Sequence, residues 1–143
     1  MPNRPVRDFL ARDVLLKASP EESARDAAIG MAAHHCGAVL VCRDETLIGI
    51  FTERDLVARV VAVGRDLDTP LIEVMTANPD TIKAEAPIID AIRQMSECGY
   101  RHLPVVENDR VLGILSIRDL PVAELALAQP ELETREALAE RMW

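Results

Sequence analysis

Apolar residues occur with the spacing of one helix face in two separate parts of the chain. The positions i, i+3, i+4 and i+7 are apolar over residues 24–31 and again over residues 88–95. After each stretch come two short apolar runs divided by a polar turn, the pattern of a β-hairpin. The runs are 38–42 and 47–51 in the first case, and 102–106 and 111–115 in the second. The pattern therefore predicts a helix followed by a hairpin, twice.

Further elements are predicted on either side of these segments. A short extended piece precedes each helix, at residues 14–17 and 78–83. A second helix follows the first hairpin. Its predicted apolar side consists of Leu56, Val57, Val60 and Val61, and Gly64 ends it. The order in each copy is strand, helix, strand, strand, helix, which indicates an α+β or α/β fold.

The two copies align without a gap. Residues 49–56 read GIFTERDL and residues 113–120 read GILSIRDL, so residue n corresponds to residue n + 64. A period this long exceeds those of solenoid repeats and indicates two copies of a small domain. We predict one domain over residues 8–66 and another over 70–128, joined by a charged, proline-containing linker. Residues 129–143 are predicted to be an acidic, helix-prone C-terminal tail.

Composition and charge exclude several classes of function. The formal net charge is −8 and the basic residues are scattered, so we expect no nucleic-acid partner. No stretch approaches 18 apolar residues, so we expect no membrane span. The three cysteines are an odd number without a CxxC pair, which favours reduced thiols, most simply core residues, in a cytoplasmic protein. His34 and His35 are adjacent rather than at i, i+3 or i, i+4, which disfavours a metal site.

The repeated octet has two interpretations at the corner where a strand enters a helix. Thr52 followed by Asp55, and Ser116 followed by Asp119, match a capping box at a helix start. The same corner would leave backbone N–H groups pointing into a groove, beside a hydroxyl and a carboxylate. A carboxylate can accept from two sugar hydroxyls, so the corner also suits a sugar diol. The two roles are compatible, and the residues alone leave both open.

The two copies align in register, and each ends in G-I-x-[ST]-x-x-D-L. Together they resemble a tandem pair of CBS domains, the cystathionine-β-synthase type. The stretches TANPDTI (76–82) and YRHLPVVENDRVLGILSIRDL (100–120) are also similar to that family. The resemblance covers about residues 8–128. It implies two copies packed about a pseudo-two-fold axis, with two clefts for adenosine-containing ligands such as AMP, ADP, ATP, NAD(H) or S-adenosylmethionine. It further implies a regulatory protein without catalysis, which usually forms a homodimer as a flat disc of four CBS domains.

The resemblance also assigns roles to particular positions. Asp55 and Asp119 would hold the ribose hydroxyls, with Thr52 and Ser116 beside them. Residues expected to flank the adenine are Lys17, Ala18, Pro79, Thr81 and Ile82. Residues expected to contact phosphate are Arg101, His102, Arg54 and Arg118. The residues themselves leave other roles open, because the arginines could form ion pairs and His102 could be a buried, satisfied imidazole.

Pro121 departs from the first copy's pattern. A proline in the second turn of a helix removes a hydrogen bond and presses on the carbonyl four residues earlier, so we expect a distortion near Asp119.

Two functions remain open from the sequence. One is an energy- or redox-sensing module that binds an adenosine nucleotide and signals to a regulated partner by conformational change. The alternative is a ligand-free adaptor for protein–protein interaction, built on the same scaffold.

Overall fold

The computed structural model describes residues 4–10 and 15–120, without the side chain of Asp119. The expectations for the tail at 129–143, for Pro121 itself and for a helix after it lie outside the described residues.

The first copy forms the predicted sequence of elements. Its bounds are β1 Lys17–Ala18, α1 Ala24–His34, β2 Ala38–Arg43, β3 Thr46–Thr52 and α2 Glu53–Asp55. Helix α2 continues as a π-helix over Leu56–Val61, with i→i+5 hydrogen bonds such as Ala62 N to Val57 O at 2.8 Å. Gly64 follows with φ +73°, a left-handed conformation that glycine adopts without steric cost and that suits a helix end.

The second copy repeats that order as far as the structure describes it. Before it come α3 Leu71–Val74 and β4 Thr76–Ala77. Its own elements are β5 Ile82–Lys83, α4 Ile88–Cys98, β6 His102–Glu107, β7 Arg110–Ser116 and a 3₁₀ turn Ile117–Asp119. The strand order is β1-β2-β3-β4 in one sheet and β5-β6-β7 in the other. Extended pieces were expected at 14–17 and 78–83, and the structure has strands of two residues there, at Lys17–Ala18 and Ile82–Lys83. Residue 14 lies outside the described residues.

The two copies have the same hydrogen-bonding register. Ala18 pairs with Val41 in parallel, and Ile82 pairs with Val105 in parallel, each shifted by the repeat length. Each corner after the hairpin is fixed by a corresponding backbone bond, from Glu53 N to Gly37 O and from Ile117 N to Arg101 O, both 3.0 Å. The gapless alignment of the sequence therefore corresponds to an equivalent backbone path.

The apolar side predicted for the helix after β3 is partly wrong. Val60 is fully buried and Leu56 is half-buried, as expected. Val57 and Val61 are 61% and 63% exposed. Residues 56 and 60 lie on the face that packs on the core. Residues 57 and 61, each one position further along the helix, are rotated toward solvent.

The chain divides into two compact units whose boundaries differ from those of the repeats. The copy-one unit runs to Pro79, so it includes α3 and β4, which precede the second copy. Its core combines first-copy residues with Leu71, Val74 and Met75. The copy-two unit contains Asp80–Glu107 and also the N-terminal 3₁₀ turn Val6–Phe9. The segment before each repeat thus packs on the core of the other repeat.

Candidate functional site

The copy-one corner is a complete capping box, as one interpretation predicted. Thr52 Oγ1 accepts from Asp55 N at 3.1 Å. Asp55 Oδ2 accepts from Thr52 N at 3.0 Å and from Thr52 Oγ1 at 3.2 Å. The N–H groups of Glu53 and Asp55 are satisfied inside the fold, so the expectation that they point free into a groove is wrong for both.

Asp55 is buried, with 8% of its surface exposed, and two more residues reach its carboxylate. Thr76 Oγ1 on β4 lies 3.3 Å from Oδ1. Arg59 Nε, one turn further along the helix, lies 3.5 Å from Oδ1, and Arg59 Nη1 donates to Met75 O at 2.8 Å. Sequence reasoning missed both partners. The i, i+4 spacing of Asp55 and Arg59 could have indicated the ion pair, whereas Thr76 lies 21 residues away on a separate strand.

Other first-copy candidates lie in different surroundings. Arg54 is exposed on the helix surface. The arginine that pairs with Asp55 is Arg59. In β1, Lys17 is exposed and Ala18 is buried in the core. Pro79 is half-buried at the end of the copy-one unit.

The strand of the copy-two corner enters a 3₁₀ turn, which is tighter than the α-helical turn of the copy-one corner. Ser116 Oγ accepts from Arg118 N at 3.3 Å. The helical turn ends at once, because Leu120 is extended with φ −79° and ψ 129°. An extended backbone is what steric contact with a following proline favours. Asp119 lies within the turn, and its expected ribose contact falls outside what the structure describes.

Three basic residues come together at the copy-two corner. Arg101 and His102 are half-buried, and Arg118 is exposed. Burial, followed by the charges of Arg101 and Arg118, lowers the pKa of His102 to about 4. The imidazole is therefore neutral at pH 7, while both guanidinium groups keep their charge. Two cations, a neutral imidazole and the Ser116 hydroxyl can together bind an oxyanion.

The expected adenine-flanking positions of the second copy begin at β5. Thr81 is exposed and Ile82 is buried, with Ile82 paired to Val105. Sequence reasoning missed a neighbouring contact, in which the Tyr100 hydroxyl donates to Asp80 Oδ2. This hydrogen bond is the main cause that raises the pKa of Tyr100 to about 12. It links Tyr100 to the residue immediately before Thr81.

Other chemistry finds little support in the described part of the chain. No group of three or more potential metal ligands occurs there, and none of its helices is long and apolar enough to cross a membrane. All three cysteines are free, but Cys42 alone is buried and Cys98 is exposed, so the expectation of three core cysteines was wrong.

His35 has a backbone role: it adopts the left-handed conformation, φ 53°, that closes α1.

Comparison with known proteins identifies the class of this fold. The family model described as "CBS domain" matches residues 6–62 and 71–121, so the chain belongs to the CBS-domain family and carries two tandem copies. CBS domain-containing protein YhcV of Bacillus subtilis is 32% identical over 121 residues, 85% of this chain and 86% of that protein. Several other curated relatives are much longer, and the match spans 20–23% of their length.

Solved structures share the same mixed α and β architecture. CBS domain protein PAE2072 from Pyrobaculum aerophilum, complexed with AMP, is similar with a TM-score of 0.80 and 26% identity, over 88% of this chain and 98% of that one. CBSX2 in complex with AMP is similar with a TM-score of 0.73 and 26% identity, over 87% and 98%. The fold class and the family predicted from the repeated octet are thereby confirmed.

Proposed function

We propose that this chain is a regulatory module that binds an adenosine-containing ligand and reports its level to a partner by changing conformation. The observation that carries the proposal is the basic cluster of the copy-two corner, Arg101, His102 and Arg118 beside Ser116. This cluster has the chemistry of a phosphate subsite. Two similar structures that were solved with AMP add support.

In this proposal the site residues keep the roles that the family resemblance gave them. Asp55 and Asp119 bind ribose hydroxyls beside Thr52 and Ser116. Residues that flank the adenine are Lys17, Ala18, Pro79, Thr81 and Ile82. Residues that contact phosphate are Arg101, His102, Arg54 and Arg118. The ligand can be AMP, ADP, ATP, NAD(H) or S-adenosylmethionine, since all carry the same adenosine end. No catalytic step is part of the proposal, and we place the protein in the cytoplasm.

A ligand signals only through a difference in its affinity for two arrangements of the protein. A regulated partner would then recognise one of these arrangements.

We also propose a homodimer, for which the exposed apolar residues on one helix are the support. Val57, Val61 and Val63 are each more than 60% exposed, on the π-helix or just beyond it. Apolar residues grouped in this way on a helix commonly mark a protein–protein interface.

A thermal-shift panel tests the ligand. AMP, ADP, ATP, NAD, NADH and S-adenosylmethionine are added to the native chain, to Asp55→Asn and to the matched control Asp26→Asn. A ligand present at 100 times its dissociation constant should raise Tm by about 5–10 °C. We expect a smaller shift in Asp55→Asn and an unchanged shift in Asp26→Asn, whose carboxylate lies exposed in the first turn of α1.

One observation favours the ligand-free adaptor. The Asp55 carboxylate already has partners at both oxygens, including Thr52 and Thr76, so it is satisfied without a ligand. If no nucleotide shifts Tm, the adaptor becomes the better account, and the exposed valines become the first place to look for a partner surface.

A further inference from the structure

We infer that Arg59 couples occupancy of the Asp55 carboxylate to the chain segment that leaves the copy-one unit. This inference rests on the proposed function, since it takes a sugar hydroxyl as the group that binds Asp55. It starts from the contacts of the carboxylate in the described residues, where Arg59 touches both Asp55 and the backbone of Met75.

Four donor atoms surround the carboxylate of Asp55. An ionised carboxylate offers about four lone-pair sites. Thr52 N and Thr52 Oγ1 contact Oδ2 at 3.0 and 3.2 Å. Thr76 Oγ1 and Arg59 Nε contact Oδ1 at 3.3 and 3.5 Å. A sugar hydroxyl that binds the carboxylate therefore competes with one of these four donors.

Arg59 is the contact that is most easily replaced. Its distance of 3.5 Å is the longest of the four and lies beyond the usual N–H···O range. The Thr52 contacts belong to the helix cap, so losing them would leave backbone donors unsatisfied. The Arg59 side chain is 49% exposed, so water can solvate the guanidinium group once it leaves Asp55.

The same guanidinium group holds the backbone of the connecting segment. Arg59 Nη1 donates to Met75 O at 2.8 Å, just before β4. Strand β4 has two residues, which pair with Gly49 and Ile50. The chain passes from the copy-one unit to the copy-two unit after Pro79. When a ligand displaces Arg59 from Asp55, Met75 O loses its donor. Strand β4, which leads out of the copy-one unit, is then less constrained.

Hydrogen exchange of the full chain, with and without saturating AMP, tests the coupling. The variants are Arg59→Gln and the control Arg65→Gln, an exposed arginine just past the same helix. In the native chain and the control, AMP should speed exchange over residues 75–78 about fivefold, the effect of one lost hydrogen bond. In Arg59→Gln the segment should exchange fast already, AMP should add nothing, and AMP binding should be retained.

If AMP binds the native chain but leaves its exchange over residues 75–78 unchanged, the coupling is overturned while the proposed function stands. If AMP speeds exchange over residues 75–78 equally in Arg59→Gln and the native chain, the coupling is overturned while the proposed function stands. If calorimetry shows that AMP does not bind the native chain, the proposed function fails and the coupling fails with it. If Arg59→Gln does not fold, Arg59→Lys replaces it. Lysine keeps the charge but lacks the two-pronged geometry that reaches Asp55 and Met75 together, so the same loss of response is expected.

Discussion

His35 occupies a backbone position that glycine occupies in the second copy. It closes α1 with φ 53° and ψ 38°, and Gly99 closes α4 with φ 74° and ψ 21°. A side chain with a Cβ atom adopts this left-handed conformation at a cost, whereas glycine does not. The adjacent histidines at 34 and 35, whose spacing disfavours a metal site, therefore include one residue with a structural role at a helix end.

Replacing His35 by glycine should stabilise the protein. We expect His35→Gly to raise the free energy of unfolding by about 0.5–1 kcal/mol, because relief of the left-handed strain outweighs the added freedom of the unfolded chain. Gly99→Ala, the matched change at α4, should lower it by about 1 kcal/mol. Urea denaturation measures both. A destabilised His35→Gly would mean that the imidazole makes a contribution beyond its backbone conformation.

His102 should make stability depend on pH in a defined window. Its pKa is about 4 in the folded protein, below the ordinary value of 6.5. Between these values the unfolded chain binds a proton that the folded chain does not, so the free energy of unfolding falls as pH decreases from 6.5 to 4. The loss should be no more than about 3 kcal/mol, reduced by partial solvent access. Well above pH 6.5 the imidazole is neutral in both states and the residue contributes no pH dependence.

The matched variant for this window is His102→Gln, which cannot titrate. Urea denaturation between pH 7 and pH 4.5 should give a flatter profile for His102→Gln than for the native chain. Parallel profiles for the two proteins would show that the imidazole is solvated rather than buried among cations.

At the scale of elements, the sequence predicted what local patterning determines. Helical spacing located α1 and α4, because burial of one helix face imposes that period on a sequence. Apolar runs divided by a polar turn located both hairpins. The π-helix after Asp55 was not predicted. For the turn after Ser116, the sequence indicated a distortion near Asp119 but not its form as a 3₁₀ turn. The short turn ends where Leu120, which precedes a proline in the sequence, is extended. The π-helix depends on an i→i+5 hydrogen-bond pattern that apolar spacing does not reveal. Of the site, the Thr52–Asp55 cap was predictable, whereas Thr76 depends on strand pairing 21 residues away.

The signature glycines of the two octets should differ in their sensitivity to alanine. A Cβ atom at Gly49 would lie 2.3 Å from Met75 Sδ, whereas one at Gly113 would lie 3.3 Å from Leu10 Cδ2. We expect Gly49→Ala to lower the free energy of unfolding by about 1–3 kcal/mol, since buried Met75 must move. Gly113→Ala should cost less than about 1 kcal/mol. Equal costs, measured by urea denaturation, would contradict the close packing of Met75 on Gly49.

At the scale of the whole molecule, each compact unit includes a segment that precedes the other repeat. Val6 and Phe9 are buried in the copy-two core, and Leu71 and Val74 are buried in the copy-one core. The sequence repeat did not reveal this exchange, because alignment compares copies and does not show which core a flanking segment joins. The exchange means that neither repeat, cut at residues 66 and 70, would keep its full core.

Self-association should depend on the exposed valines. The double variant Val57→Asp and Val61→Asp should weaken dimer formation by at least about tenfold, because charges would be buried in an apolar interface. Ile72→Asp is the matched control, since Ile72 is 49% exposed on a different helix, α3. Sedimentation over a range of protein concentrations measures the equilibrium. A native chain that stays monomeric throughout would remove the homodimer from the account.

Calorimetric titration of AMP into the native chain, Arg118→Gln and Arg110→Gln tests the central claim most directly. Arg118 belongs to the basic cluster around His102, whereas Arg110 forms an exposed pair with Glu45. The account predicts saturable binding to the native chain and to Arg110→Gln. It predicts affinity at least about tenfold weaker in Arg118→Gln, the effect of losing a charged hydrogen bond. Absence of binding, or equal affinity in all three proteins, would contradict a nucleotide site at the copy-two corner.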